Sequence, residues 1–342
     1  LQFVVQLPVL KRFGMRWQWD WAASRETLLR IARQLIPMAV GLAILPINTL
    51  VDTVVAWIFS APQAGIPIAW LGGKSVYPLQ EGTVAAIYFA ERLYQFPVGL
   101  LGVVIGVVAF PALSRHASGG DQQQFIHKMT QALRANLFLA IPATAGLILL
   151  AQPLTSLLFR HGAFTEIDTL RTSQMVGAYA CGIWAYSTLP VLIRGFYASA
   201  DSQTPFRLGI TVVVLNGLVD LALIWPCGET GLAYASAAAA AVFALLLTRK
   251  AHLQWHLFSD AMTRGGNALW KNPLVITLLR SSVATGVMYA AGHFLLLQML
   301  PSVAQSFTGD FLLVSILLVS CLGIYLLVSL LLGAREWRQH AS

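Results

Sequence analysis

The sequence predicts an all-α integral membrane protein of about eight transmembrane helices, and three observations carry that prediction. Apolar side chains make up 57% of the 342 residues, while charged ones make up 11%. Mean hydropathy is +0.69, beyond the range of a chain that folds around one water-screened core. Eight apolar stretches, near residues 34–60, 83–110, 135–152, 173–194, 207–226, 229–248, 275–299 and 310–333, can each cross ~30 Å of hydrocarbon at ~1.5 Å per residue. Helices are the natural form for such runs, because hydrocarbon offers no water to an unpaired backbone group.

Ahead of the first span, "MRWQWDWAASRETLLR" interleaves Trp17, Trp19 and Trp21 with charges, the composition of a segment at headgroup level. Residues 1–33 are therefore expected to be a cytoplasmic or interfacial lead-in. No signal peptide precedes the first charges after Leu1, so the chain is expected to continue a longer protein. Between the first two spans, residues 61–82 carry Pro62, Pro67, Gly72, Gly73 and Pro78, too broken for a span. They predict an outside loop that dips toward the membrane. The second span holds Glu91 and Arg92 well inside its apolar run, where a charge costs a few kcal/mol or more.

After the connector "SRHASGGD", the stretch "DQQQFIHKMTQALR" sets Phe125, Ile126, Met129 and Leu133 on one helical face. That pattern predicts an interfacial helix leading into the third span. "RHGAFTEID" predicts an outside turn with Thr165 capping the next helix and Asp168 supporting its first turn. In "YASADSQTP", Asp201 and Ser202 form a turn and Pro205 starts a new helix. "PCGETG" separates the fifth and sixth spans, and "AYASAAAAAV" in the sixth allows close helix packing. A cytoplasmic linker (251–274), two more spans (275–334) and a cytoplasmic tail (335–342) complete the chain.

Orientation follows from the basic residues. With the N-terminus inside, the inside segments hold all but four of the 22 Lys and Arg residues, among them Arg115, Lys128, Arg134, Arg194, Arg207, Arg249 and Lys250. Outside connectors hold Lys74, Arg160 and Arg171, and Arg92 belongs to neither side. Both termini are then cytoplasmic. The net charge of +8 reads as topology and contact with anionic membrane lipids, with no nucleic-acid partner. Cys181, Cys227 and Cys321 match neither a metal nor a disulfide spacing and read as packing residues. His161 and His293 lack ligand partners at metal spacing, so no transition-metal site is expected. No nucleophile with an adjacent base, phosphate-cradling glycine loop or paired catalytic carboxylates appears, which excludes an enzyme reading and leaves no catalytic residues to name.

Three polar residues lie at one depth. Asp52, Asp220 and Ser236 each fall roughly 9–12 Å below the outer edge by helix rise, and Asn216 shares a face with Asp220. Carboxylates at that depth are paired, protonated or bound to a cation. Hard oxygen ligands suit a small ion such as sodium, and protonated acids bonding neighbouring helices are the alternative. Arg92, about ten residues into its span, either snorkels to the outer interface or lines an aqueous cavity where its guanidinium grips a phosphate bidentately.

The segments "AERLYQFPVGLLGVVIGVVAFPALSRHAS", "LLFRHGAFTEIDT" and "IRGFYASADSQTP" resemble, in order and spacing, the MurJ/MviN lipid II flippase family of the multidrug/oligosaccharidyl-lipid/polysaccharide exporter superfamily. The resemblance implies a fourteen-span transporter of two six-span lobes plus two extra helices. This chain would supply the C-terminal six-helix lobe (34–250) and the two extra helices, with an N-terminal lobe of the same protein as partner. It implies that Arg92, with Glu91 and Gln95 beside it, lines the substrate cavity. It also implies a sodium site at Asp52, Asn216, Asp220, Leu232 and Ser236, with proton coupling through Asp52 or Asp220 as the rival, and a lipid-tail groove on the last two spans. No cofactor beyond that ion is implied.

Two departures stand out. Some twenty residues are added between the first two spans, and Gln95 occupies a position that is acidic in the family. The expected function is flipping of a polyprenyl-diphosphate-linked peptidoglycan precursor, lipid II, from the inner to the outer leaflet of the bacterial cytoplasmic membrane. Another exporter of the superfamily and a non-transporting membrane scaffold are the alternatives.

Overall fold

The structure, a computed structural model, describes residues 21–62, 65–69, 72–73, 75–257, 272–299 and 307–333. Its elements run α1 (Trp21–Phe59), β1 (Ser60–Ala61), β2 (Leu79–Gln80), α2 (Thr83–Val98), a π-helical turn (Gly99–Val103), α3 (Val104–Ser118), α4 (Gln122–Phe159), α5 (Glu166–Ala180), α6 (Ile183–Ala198), α7 (Gln203–Cys227), α8 (Glu229–Trp255), α9 (Pro273–Met299) and α10 (Phe307–Leu331). Among the described residues, six helices, with the continuous Thr83–Ser118 counted as one, are long and apolar enough to cross a membrane, or seven if the α5–α6 pair, bent by 47°, is one span. The remaining expected span lies in α1, where the apolar segment Pro46–Phe59 is shorter. The apolar helices make this a multi-pass membrane protein.

Several expectations change at this level. The helix α1 is continuous across residue 33; residues 1–20 lie outside the described residues, as do 258–271 of the linker and the tail 335–342. The "DQQQFIHKMTQALR" segment is no separate interfacial helix but the start of α4. Its apolar face is covered by protein: Phe125, Met129 and Leu133 are buried, and the Phe125 ring meets Trp255 of α8 edge-on at 5.0 Å. A helix that packs on a neighbour and one that lies on lipid need the same 3.6-residue period, so the sequence pattern does not separate them. Cys181 and Cys227 are exposed, and only Cys321 is a packing residue.

The loop between the first two spans folds as a small cap. Ser60 and Ala61 pair in parallel with Leu79 and Gln80, Pro67 bridges Val76, and Ile68 and Leu79 are fully buried. At this capped end Glu229, at the start of α8, accepts hydrogen bonds from Arg171 of α5 and Thr83 of α2. The expected cap of α5 is present: Thr165 accepts from the Asp168 amide at 3.2 Å and Asp168 accepts from the Thr165 amide at 3.0 Å.

α6 is the central helix, packed against α3, α4 and α8. Asn136 of α4 donates to Ser187 and Thr188 of α6 at 3.3 and 3.1 Å. The π turn, two residues after Pro97, crosses the same level, and Gly102 lies directly on the backbone of Ser187. α9 and α10 attach to α4 at a proline. Pro142 has no N–H to give the carbonyl of Phe138 one turn earlier, and that oxygen accepts from Tyr325 of α10 and Ser281 of α9 instead.

Candidate functional site

The residues expected to hold a cation come together in the bundle interior. Asp52 (α1), Asn216 and Asp220 (α7) and Leu232 (α8) are fully buried, and Ser236 (α8) is 4% exposed. Their meeting follows from the packing: α1 lies along α7, and α7 forms an antiparallel pair with α8. Asn216 Nδ2 donates to Asp52 Oδ1 at 2.7 Å and to Asp220 Oδ2 at 3.1 Å. Ser236 Oγ donates to Asp52 Oδ2 at 2.5 Å. Leu232, one turn before Ser236, lies on the same face of α8.

Tyr179 of α5 also donates to Asp52, at 3.4 Å, and its ring stacks on Tyr94 at 4.8 Å. Nothing in "GAYACG" sets this tyrosine apart from a packing aromatic, so the sequence alone does not single it out. Two acceptors, Asn216 Oδ1 and Asp220 Oδ1, are buried and take no hydrogen bond. Among the described residues no Lys, Arg or His pairs with either acid. Two carboxyls, an amide oxygen and a hydroxyl with unfilled acceptor capacity form a donor set that fits a small hard cation.

The charged pair on α2 divides between two environments. Glu91 is 6% exposed and turns into the bundle, accepting from Thr49 of α1 at 2.8 Å. Thr49 is three residues from Asp52 and was not singled out in the sequence, although the i, i+3 spacing places it beside the acid. Arg92 stands on the exposed face, its guanidinium carbon 4.5 Å from the Tyr88 ring centroid and Nη1 3.4 Å from Gln95 Oε1. A cation held over an aromatic face keeps most of its donors available. Arg92 and Gln95 are thus neighbours, while Glu91 belongs with the interior.

A model of the family described as lipid II flippase MurJ matches residues 1–308. The chain belongs to the lipid II flippase MurJ family. Among curated MurJ relatives, the probable lipid II flippase MurJ of Vibrio cholerae serotype O1 is 34% identical over 259 residues, covering 75% of this chain and 46% of that protein. The probable lipid II flippase MurJ of Haemophilus influenzae is 32% identical over 255 residues, covering 73% of this chain and 46% of that protein. The chain thus spans about half the length of the MurJ relatives it matches. A solved structure titled "Lipid II flippase MurJ, inward closed conformation" aligns with a TM-score of 0.64 at 21% identity, over 96% of this chain and 58% of that one. At that identity the likeness is one of fold.

Proposed function

We propose that the chain is the C-terminal six-helix lobe (34–250) and the two additional helices (275–334) of a fourteen-span, two-lobe transporter that flips lipid II from the inner to the outer leaflet of the bacterial cytoplasmic membrane. A diphosphate and its sugars cannot cross hydrocarbon unaided, while the polyprenyl tail never has to leave it. A polar cavity between two lobes that rock against each other meets that need, and an N-terminal lobe supplies the facing wall. Both termini of this chain are cytoplasmic, with the basic connectors against anionic lipid. The protein moves its substrate without changing its bonds.

The observation that carries this reading lies on one turn of α2. Glu91 is turned onto α1 beside the Asp52 cluster, and the next residue, Arg92, is presented outward with donors to spare. A shift of α1 against α2 is therefore felt both by the buried acids and by the cation that grips a diphosphate. Asp52, Asn216, Asp220 and Ser236, with the Leu232 carbonyl, would hold a sodium ion, which supplies charge balance for two acids in the membrane interior.

The test is lipid II translocation in vesicles. The full-length protein should translocate, while the 342-residue chain alone should insert without translocating. Translocation by the isolated chain refutes the two-lobe reading, and a full-length protein that moves another lipid-linked saccharide or a drug but ignores lipid II refutes the substrate.

A further inference from the structure

The inner half of the bundle holds a second arginine that the reading above leaves without a task. Arg194 lies in the apolar run "LPVLIRGFYA" of α6, four residues before the helix ends at Ala198, or ~6 Å inside it along the axis. A charge there is costly unless something meets it. Its hydrogen bond is to the Pro190 carbonyl on its own helix, at 3.4 Å, and no carboxylate pairs with it among the described residues. One long bond leaves most of its five donors for other partners.

The surroundings leave Arg194 partly exposed to such a partner. Pro190, Arg194 and Tyr197 form one stripe of α6 by their spacing, and all three are partly exposed on a helix whose other residues are mostly buried. On one side the guanidinium lies over bare backbone of α3, where a Cβ added at Gly106 would come within 2.5 Å of Arg194 Nη1. On the other side the Tyr197 hydroxyl lies against Gly41 of α1, within 2.3 Å of where a Cβ would stand. The stripe therefore lies at the end of the bundle away from the cap, with Arg194 packed on α3 and Tyr197 on α1. Each glycine lets the side chain lie close on the neighbouring backbone, and Arg194 remains partly exposed there.

We infer that Arg194 is an anion subsite for a lipid phosphate that reaches its exposed side from the inner leaflet. The planar fork of an arginine suits two oxygens of one phosphate, and a headgroup phosphate reaches the depth of a residue one turn inside the span. The phosphate has two sources, the diphosphate of the transported lipid and the monophosphate of an anionic bilayer lipid. The inference deepens the transport reading, on which the first source rests.

The experiment measures binding of undecaprenyl diphosphate, and separately of phosphatidylglycerol, to the full-length protein in nanodiscs of neutral phosphatidylcholine. Parent, Arg194→Ala, Arg194→Lys and Arg207→Ala are compared, the last removing an exposed charge on α7. Thermal unfolding of each variant establishes that it is folded, and Arg194→Gln replaces Arg194→Ala if truncation unfolds the protein. Arg194→Ala should weaken one of the two lipids by about tenfold or more, the loss of charge-assisted hydrogen bonds, with Lys intermediate and Arg207→Ala unchanged. The lipid that is lost names the source. Equal binding by parent and Arg194→Ala in both arms overturns the subsite, as does an equal loss in Arg207→Ala, which is a bulk charge effect. A parent that binds no diphosphate lipid, with phosphatidylglycerol still dependent on Arg194, removes the transport reading and leaves the subsite standing.

Discussion

Replacing Gly102 by Ala drives a methyl group into the backbone of a neighbouring helix. A Cβ at Gly102 stands 2.4 Å from the Ser187 carbonyl oxygen and 2.7 Å from its Cα, whereas ordinary contact begins at 3.4 Å. Because those atoms belong to the backbone of α6, no rotamer change relieves the clash, and the helices must part by about 1 Å. Parting them also strains the Asn136 bonds to Ser187 and Thr188. Overpacking costs ~1–3 kcal/mol and a weakened buried polar pair ~1–3 kcal/mol more. The helical preference of Ala over Gly offsets up to ~1 kcal/mol. The expected destabilisation is ~1–6 kcal/mol. Gly99, three residues earlier in the same π turn, has nothing within 4 Å of its added Cβ, so Gly99→Ala should be neutral or stabilising by up to ~1 kcal/mol. Thermal and denaturant unfolding of both purified variants in one detergent makes the comparison. A Gly102→Ala protein as stable as its parent, or a Gly99→Ala protein that is the weaker of the two, refutes the close crossing.

Arg92→Ala in the full-length protein should abolish growth support in flippase-depleted cells with membrane insertion intact, and Arg92→Lys should support partial growth because it keeps charge without the fork; full complementation by Ala removes Arg92 from the substrate site. Sodium at a hundred times its dissociation constant should stabilise the parent by ~2.7 kcal/mol, and Asp52→Asn and Asp220→Asn should lose that shift in a melting assay run against potassium. Equal sodium shifts in all three proteins would eliminate the cation site. Tyr325→Phe should cost ~0.6–1.7 kcal/mol, the range of interhelical hydrogen bonds in lipid, seen as a lower unfolding midpoint; an unchanged midpoint would show that the hydroxyl does not hold α10. Glu229→Gln should cost ~1–3 kcal/mol by weakening the partly buried Arg171 and Thr83 contacts, and unchanged stability would rule out a clamp at the capped end.

The membrane class, the order of the helices and the common depth of Asp52, Asp220 and Ser236 were legible in the sequence, while their grouping with Asn216 in one cluster came from the family resemblance. In a bilayer the topology and the rise per residue set the depth of every side chain, so residues far apart in sequence can be levelled against each other before any fold is known. Depth says nothing about azimuth. Tyr179 could not be placed against Asp52 from the sequence, and Glu91 and Arg92 could not be assigned to opposite environments, because both facts depend on which neighbour each helix face meets. The 47° bend between α5 and α6 was hidden for a related reason: "YACGIW" is apolar throughout, and hydropathy is blind to direction. The fold of the 61–82 cap depends on pairing between chain segments nineteen residues apart, a contact no local pattern reports.

The joint at Pro142 sets what α9 and α10 are free to become. Its acceptor is a main-chain oxygen, present whatever side chain occupies residue 138, and each outer helix brings one hydroxyl, Ser281 or Tyr325, to that single height. Their remaining lipid-facing surface can drift with the membrane it is bathed in. Mutation of Pro142 to any other residue acts in the opposite sense, since a restored N–H competes for the same oxygen and loosens two helices through a change made on a third.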